Sequence, residues 1–156
     1  MARSAKRMAE FERAVALNPN FFDYRFAQVL TYSGEPARAI ELLEANIRLD
    51  PLQPQVYAFT AVMGNANYSL KHYGEAVRSL RECASRLPNL QRSHVWLASA
   101  CAQSGQLEEA RKEAAAVLRI NPSFTIESWK RLAVYRDPKD AEHRLDGLRK
   151  AGLPES

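Results

Sequence analysis

The sequence predicts an all-α fold, a stack of antiparallel helix pairs with about nine helices, and three observations predict it. Four prolines, Pro19, Pro51, Pro88 and Pro122, return at separations of 32, 37 and 34 residues (51 − 19, 88 − 51 and 122 − 88). Small residues keep fixed offsets from them: Ala39, Ala76 and Ala110 lie twelve residues before the last three prolines, and Ala27, Gly64 and Ala98 lie twenty-four before. Apolar residues step by three and four, as one helical face requires, and no alternating strand pattern appears. A period of about 34 residues with small residues at constant offsets marks stacked helix–turn–helix units.

The elements follow in order. A helix over 5–17 carries Met8, Phe11 and Val15 on one face and ends at Asn18-Pro19. Residues 21–33 and 36–48 pair around Ser33-Gly34-Glu35-Pro36, where Gly34 supplies a left-handed turn and Pro36 suits a first helical turn. Residues 55–70 and 73–86 form the next pair, and 91–104 and 107–119 the third, turning at Ser104-Gly105. Residues 123–135 and 138–151 close the stack. Ala27, Gly64 and Ala98 are placed where the two helices of a pair cross closely, opposite Ala39, Ala76 and Ala110; larger side chains there would force the helices apart. The prolines end each second helix because they cannot continue its hydrogen-bond ladder. At the C-terminus Ala141, Leu145 and Leu148 form an apolar stripe, with Lys139, Glu142, His143, Asp146, Arg149 and Lys150 on the polar side. That pattern predicts a cap that covers the last unit with one face and meets water with the other.

Composition narrows the function classes. Hydrophobic residues make up 46% and charged residues 26% of the 156, enough for a packed interior in a soluble chain. The net charge of +4 is spread along the sequence, and Met1–Arg7 is its one basic cluster, so nucleic-acid binding is not expected. No apolar run approaches the roughly 18 residues that cross a bilayer. No apolar core follows the basic start, so a signal peptide is not expected and the location reads as cytoplasmic. Cys83 and Cys101 lie eighteen apart without a CxxC, which reads as two reduced, buried thiols. The histidines His72, His94 and His143 are far apart, and two fall on positions expected to be exposed. There is no HExxH, GxSxG or phosphate-cradling glycine loop, so no catalytic, cofactor or metal residues are assigned. Asp137 and Asp140 beside Glu142 suggest a metal site less well than they suggest a cap and first turn for the helix opened by Pro138.

These residues resemble the tetratricopeptide repeat family. Met63-Gly64-Asn-Ala-Asn-Tyr68, Tyr73-Gly-Glu-Ala76 and Leu80 stand close to its pattern, and Trp129-Lys-Arg-Leu132-Ala133 fits the opening of a further unit. The whole chain, 1–156, then reads as one α-solenoid, a right-handed superhelix of helix pairs. It comprises a half repeat at 5–19, full repeats at 20–51, 57–88 and 91–122, and a helix pair with a cap at 123–156. Asn46 and Asn67 depart from the pattern, and Leu52-Gln-Pro-Gln-Val56 lengthens one junction. A narrower resemblance rests on Ile120-Asn-Pro-Ser-Phe124, Trp129-Lys-Arg-Leu132, Tyr135-Arg-Asp-Pro138 and the run from Leu145 to Glu155. It is to the C-terminal repeat region of bacterial class III adenylate/guanylate cyclases, with a related tail in some winged-helix regulators. The half repeat at the start then implies the C-terminal piece of a longer ancestor.

The resemblance implies a non-enzymatic scaffold whose first helices line a concave groove for a protein or peptide. Counted by unit position, that groove holds Phe21, Tyr24, Gln28, Thr31 and Tyr32, then Ala58, Ala61, Asn65, Tyr68 and Ser69, then Arg92, Val95, Ser99 and Gln103, with Lys130 extending the row. Of these, Tyr24, Gln28, Tyr32, Asn65, Tyr68, Arg92, Ser99, Gln103 and Lys130 are the candidate contacts for an extended peptide: amides for its backbone and rings for its side chains. Packing between units would satisfy Tyr24, Tyr32 and Tyr68 equally well. The carboxylate clamp of chaperone-binding members is not expected, since only Arg92 fits it. Two other functions stay open: an oligomerisation module acting through its ends, including a homodimer through the N-terminal half repeat, and part of a cyclase enzyme.

Overall fold

The structure, a computed structural model, describes residues 2–17, 23–132 and 135–156, with some side chains of the first helix outside the description. Among the described residues there are nine helices and no strand: α1 (Ala2–Leu17), α2 (Tyr24–Tyr32), α3 (Pro36–Leu49), α4 (Val56–Ser69), α5 (Tyr73–Arg86), α6 (Gln91–Gln103), α7 (Leu107–Ile120), α8 (Ile126–Leu132) and α9 (Pro138–Lys150). Met8, Phe11 and Val15, the end at Asn18-Pro19, and Phe21 lie outside the described side chains. Helices pair as α2–α3, α4–α5 and α6–α7, and each pair packs on the next.

Each pair turns by the same device. The amide of Glu35 donates to Leu30 O at 2.9 Å, that of His72 to Asn67 O at 2.9 Å, and that of Gln106 to Cys101 O at 2.8 Å. This six-to-one closure needs a left-handed residue just past the helix. Gly34 (φ +89) and Gly105 (φ +81) supply it, while Lys71 (φ +61) adopts it with a side chain attached. The close crossings stand where the sequence places them. Ala27, Ala39, Ala76, Ala98 and Ala110 are completely buried. A Cβ on Gly64 would lie 2.6 Å from Leu80 Cγ and 3.2 Å from Ala76 O, so α4 and α5 touch there with no room for a methyl group.

First and second helices differ in how much of their circumference is covered. On α5 the buried residues Ala76, Val77, Leu80, Cys83 and Ala84 make a single stripe, and on α7 Ala110, Ala114 and Val117 do the same. On α4 every residue from Gly64 to Tyr68 is buried, and on α6 every residue from Ser93 to Ala102. A helix enclosed on all sides carries no polar stripe. Accordingly α4 has no charged residue at all.

The C-terminal pair departs from expectation. The predicted helix over 123–135 is shorter, Ile126–Leu132. Asn121 Oδ1 accepts from Ser123 N at 3.2 Å and holds a turn, and Thr125 then exchanges bonds with Ser128 as a reciprocal cap. At its other end Asp137 is extended, as a residue before proline must be, and its side chain accepts from Lys139 N at 2.8 Å to cap α9. The tail turns at Gly152 (φ +88), and Pro154 O and Glu155 O accept from Ile126 N and Glu127 N at 2.9 and 3.1 Å, satisfying first-turn donors of α8. Leu145 and Leu148 are buried as the stripe predicts, but α9 packs chiefly on α6 rather than on α8, and Arg144 is completely buried. Of the side assigned to water, His143 and Asp146 are half-buried, and Lys139, Glu142, Arg149 and Lys150 are exposed.

Candidate functional site: the groove and its occupant

The face built by α2, α4 and α6 brings most of the predicted residues together, and the chain's own C-terminal segment lies across it. In the first pair, Tyr24 packs against Phe59 with ring centroids 6.1 Å apart, and Gln28 Nε2 donates to Tyr32 OH at 3.3 Å. Tyr32 meets the edge of Tyr135 at 4.8 Å. Its carbonyl accepts from the amide of Arg136 at 2.9 Å. Burial, with Tyr135 beside it, pushes the Tyr32 hydroxyl up to about 12, so it stays a neutral phenol. Thr31 is buried and donates to Ala27 O.

The middle of the face grips α9 through its backbone. Tyr68 OH donates to the carbonyl of His143 at 3.0 Å, and Gln103 Nε2 donates to the same carbonyl at 2.9 Å. Ser99 Oγ lies 2.9 Å from Tyr68 OH and 3.1 Å from the carbonyl of Arg144, with one proton to give. A helix carbonyl keeps a second lone pair after its intrahelical bond, and these side chains use it. Gln103 also donates to Asp146 Oδ2 at 2.9 Å and accepts from Lys150 Nζ at 3.2 Å. The hydrogen bonds from Lys150 and Gln103 hold the Asp146 carboxyl below its ordinary range. At the crossing, a Cβ on Gly147 would lie 2.3 Å from Ser99 Oγ and 3.0 Å from Ser99 O, so α9 rests on α6 at a residue without a side chain.

Arg144 fills the centre. Its guanidinium lies 3.4 Å from the centroid of the Tyr68 ring. It donates to Asn65 Oδ1, to Trp96 O at 3.4 Å and to Tyr135 OH at 3.3 Å. These partners are a π face and neutral oxygens; among the described residues no carboxylate lies within ion-pair distance of it. Asn65 Nδ2 beside it is buried without an acceptor. His143 sits between Tyr68 and Tyr73, and its Nε2 lies 2.8 Å from Tyr73 OH. Burial, with Arg144 and Lys71 nearby, pushes its pKa down.

The predicted residues thus divide. Asn65, Tyr68 and Ser99 are buried beneath α9; Tyr24, Gln28, Tyr32 and Gln103 are half-buried; Arg92 and Lys130 are exposed. Ala61 and Val95 are buried, while Ala58 and Ser69 are half-buried. Arg92 lies over the Trp96 ring at 5.7 Å, and Lys130 lines a shallow hollow beyond α8 with Ile126 and Arg149. Sequence reasoning missed Tyr135, Arg136, Arg144 and Gly147 on the occupant side. The absence of any charge on α4 was the signal, since its polar groups are all neutral ones that a covering segment can satisfy.

The remaining chemistry-bearing side chains are structural. Of the three histidines only His72 is exposed, which corrects the expectation of two exposed positions. His94 is buried, with Nδ1 2.6 Å from Glu113 Oε2 and Nε2 3.0 Å from Pro88 O. Cys83 and Cys101 are free and buried, and burial pushes the Cys101 thiol up to about 12, far from a reactive thiolate. Among the described residues no three His, Cys, Asp or Glu side chains gather as a metal site, and no helix is long and apolar enough to cross a membrane.

Residues 68–133 match the family model of the tetratricopeptide repeat. No curated protein matches the chain. Among solved structures the fold is similar to a crystal structure of MamA (17% identity over 92% of this chain and 84% of that one, TM-score 0.62). It is also similar to MamA 41-end from Desulfovibrio magneticus RS-1 (20% identity, 83% and 75% covered, TM-score 0.58) and to MamA MSR-1 C2 (22%, 96% and 86%, TM-score 0.59). At these identities the likeness is one of fold. The chain has the fold of a tetratricopeptide-type helical array, and its match to the family's own model spans residues 68–133.

Proposed function

We propose that the chain is a protein-interaction scaffold whose groove receives a segment of a partner polypeptide, with α9 occupying that groove in the closed form. The observation that carries this reading is the grip on α9: three side chains from α4 and α6 bond the backbone carbonyls of His143 and Arg144. A surface equipped to hold a polypeptide backbone is a polypeptide-binding surface. The repeat fold, used widely for protein recognition, supports it. The run from Leu145 to Glu155 supports a wider setting, the C-terminal part of a cyclase-like signalling protein, in which the array acts as a regulatory module rather than as the enzyme. On this reading the whole chain is a single array, it acts in the cytoplasm, and nucleic acid and lipid are not its ligands.

Site-specific crosslinking in the cells that make the protein tests the reading. A photoreactive residue at Gln28, half-buried on the groove face, is expected to capture partner polypeptide. One at Arg81 on α5, facing Glu109 on the outer helices, is expected to capture little. Crosslinks from Arg81 alone would move the function to the convex surface.

A further inference from the structure

The occupant shows what the groove selects. Backbone bonds to His143 and Arg144 are indifferent to sequence, so recognition must come from other features of α9; besides the bonds of the His143, Asp146 and Lys150 side chains, two are buried in the contact. One is Arg144, a planar cation lying flat on Tyr68 while its edge reaches Asn65, Trp96 O and Tyr135 OH. A lysine cannot copy this, because its ammonium does not stack as a plane and has one nitrogen where Arg144 uses three separate ones, Nε, Nη1 and Nη2. The other is Gly147, three residues on and so one turn along the same face, where Ser99 leaves no space for a Cβ. Leu145 and Leu148 add the apolar side.

We propose, resting on the reading of the groove as a polypeptide site, that its external ligand is a partner's amphipathic helix carrying an arginine and, three residues later, glycine, and that this helix enters by displacing α9. The ligand is therefore helical, in place of the extended peptide that the sequence suggested. The internal complex is built to be displaced. It buries a cation with no carboxylate opposite, a desolvation cost that an ion pair would offset and a π face offsets only in part. It also leaves Asn65 Nδ2 buried with no acceptor. A partner helix that keeps the arginine and the glycine and brings an acceptor to Asn65 Nδ2 keeps the contacts of Arg144 and Gly147 and adds one more.

The test uses the full chain and a labelled peptide of residues 137–153 as the probe helix. Gly147→Leu in the chain forces its own α9 off Ser99 and opens the groove. The peptide is expected to bind this variant at least about tenfold more tightly than the wild type, whose groove is filled. Peptides with Arg144→Ala or Arg144→Lys are expected to lose about tenfold or more. If Gly147→Leu melts out, a protease site placed at 133–137 and cut after folding frees wild-type α9 for exchange with the labelled peptide. No binding or exchange on a folded array overturns the proposal, as does equal binding of the Arg144→Ala peptide. Capture of intact wild-type chain by Gly147→Leu as tightly as the peptide would make a second copy the occupant and overturn the external partner. If the helix peptide fails while Gln28 still crosslinks partner polypeptide, only the helix proposal falls; if both fail, the groove reading falls with it.

Discussion

At the scale of single residues, Ala76 is held by space and two histidines by their hydrogen bonds and burial. Ala76 is completely buried where α5 meets Gly64, so added volume has nowhere to go. Ala76→Leu is expected to cost about 1–3 kcal/mol. Thermal melting followed by circular dichroism checks it, and an unchanged midpoint would remove Ala76 from the crossing. Two histidines answer pH in opposite senses. Glu113, hydrogen-bonded to His94, raises the His94 pKa, with Pro88 O adding to it. The stability this gives is fully present below the ordinary value of 6.5 and is lost as pH rises through the folded value. Burial lowers the His143 pKa, as do Arg144, Lys71 and Lys150, while Asp146 opposes them; Tyr68 and Tyr73 complete its surroundings. Its contribution is present above 6.5 and is lost as pH falls through the folded value. Acidification below that ordinary value should therefore loosen α9 in particular. Hydrogen exchange of α9 amides at either side of it, corrected for intrinsic rates, is expected to show the loosening in wild type and not in His143→Gln. Equal acid sensitivity in the variant would put the titrating group elsewhere.

At the scale of the element, the ends of α9 decide how firmly it sits. Asp137 is its N-cap, placed by Pro138 and bonded to Lys139 N. Asp137→Ala is expected to cost about 0.5–2 kcal/mol, the usual worth of such a cap. The loss should appear as faster exchange in the first turn of α9 with α6 unaffected; uniform loosening of both would show that the cap supports the whole array. Helix ends of this kind were legible in the sequence, because Asp before Pro, and Gly after a helix, act through two or three neighbouring residues. The pairings of α4 with α5 and of α6 with α7 were legible for a similar reason: Gly64, Ala76, Ala98 and Ala110 recur at one period. The position of α9 was not. Its stripe of Leu145 and Leu148 fits any apolar surface, and Arg144 reads as a solvated residue until Tyr68 and Asn65 are seen beneath it. Those partners are 76 and 79 residues away (144 − 68 and 144 − 65), beyond the reach of any local pattern. The groove residues were found as a set because unit position fixes which side of a first helix they occupy. Their occupant was not found because its identity depends on contacts between residues far apart in the chain, such as Arg144 with Asn65 and Gly147 with Ser99.

At the scale of the whole molecule, α9 changes how the array holds together. In a repeat stack each unit touches only its neighbours, so the ends can open while the middle stays folded. Here the C-terminal segment bridges all three first helices: Arg136 reaches Tyr32 O and Ser33 O, Arg144 reaches Asn65 and Tyr68, and Gly147 rests on Ser99. Opening the α2–α3 pair must then break contacts made by the far end of the chain. The buried core would otherwise divide at α4. Phe59, Val62 and Ala66 face α2 and α3, whereas Ala61 and Tyr68 join the cluster that runs on to α9. Docked α9 is therefore expected to make denaturant unfolding a single transition for both halves. Gly147→Leu, which frees it, is expected to separate them, with the α2–α3 half unfolding first and a shallower overall slope. A fluorophore in α3 and the native Trp96 in α6 report the two halves. Coincident curves in wild type that part in the variant would establish α9 as the strut across the groove. Curves that coincide in both would mean that unit-to-unit packing through α4 alone makes the array cooperative.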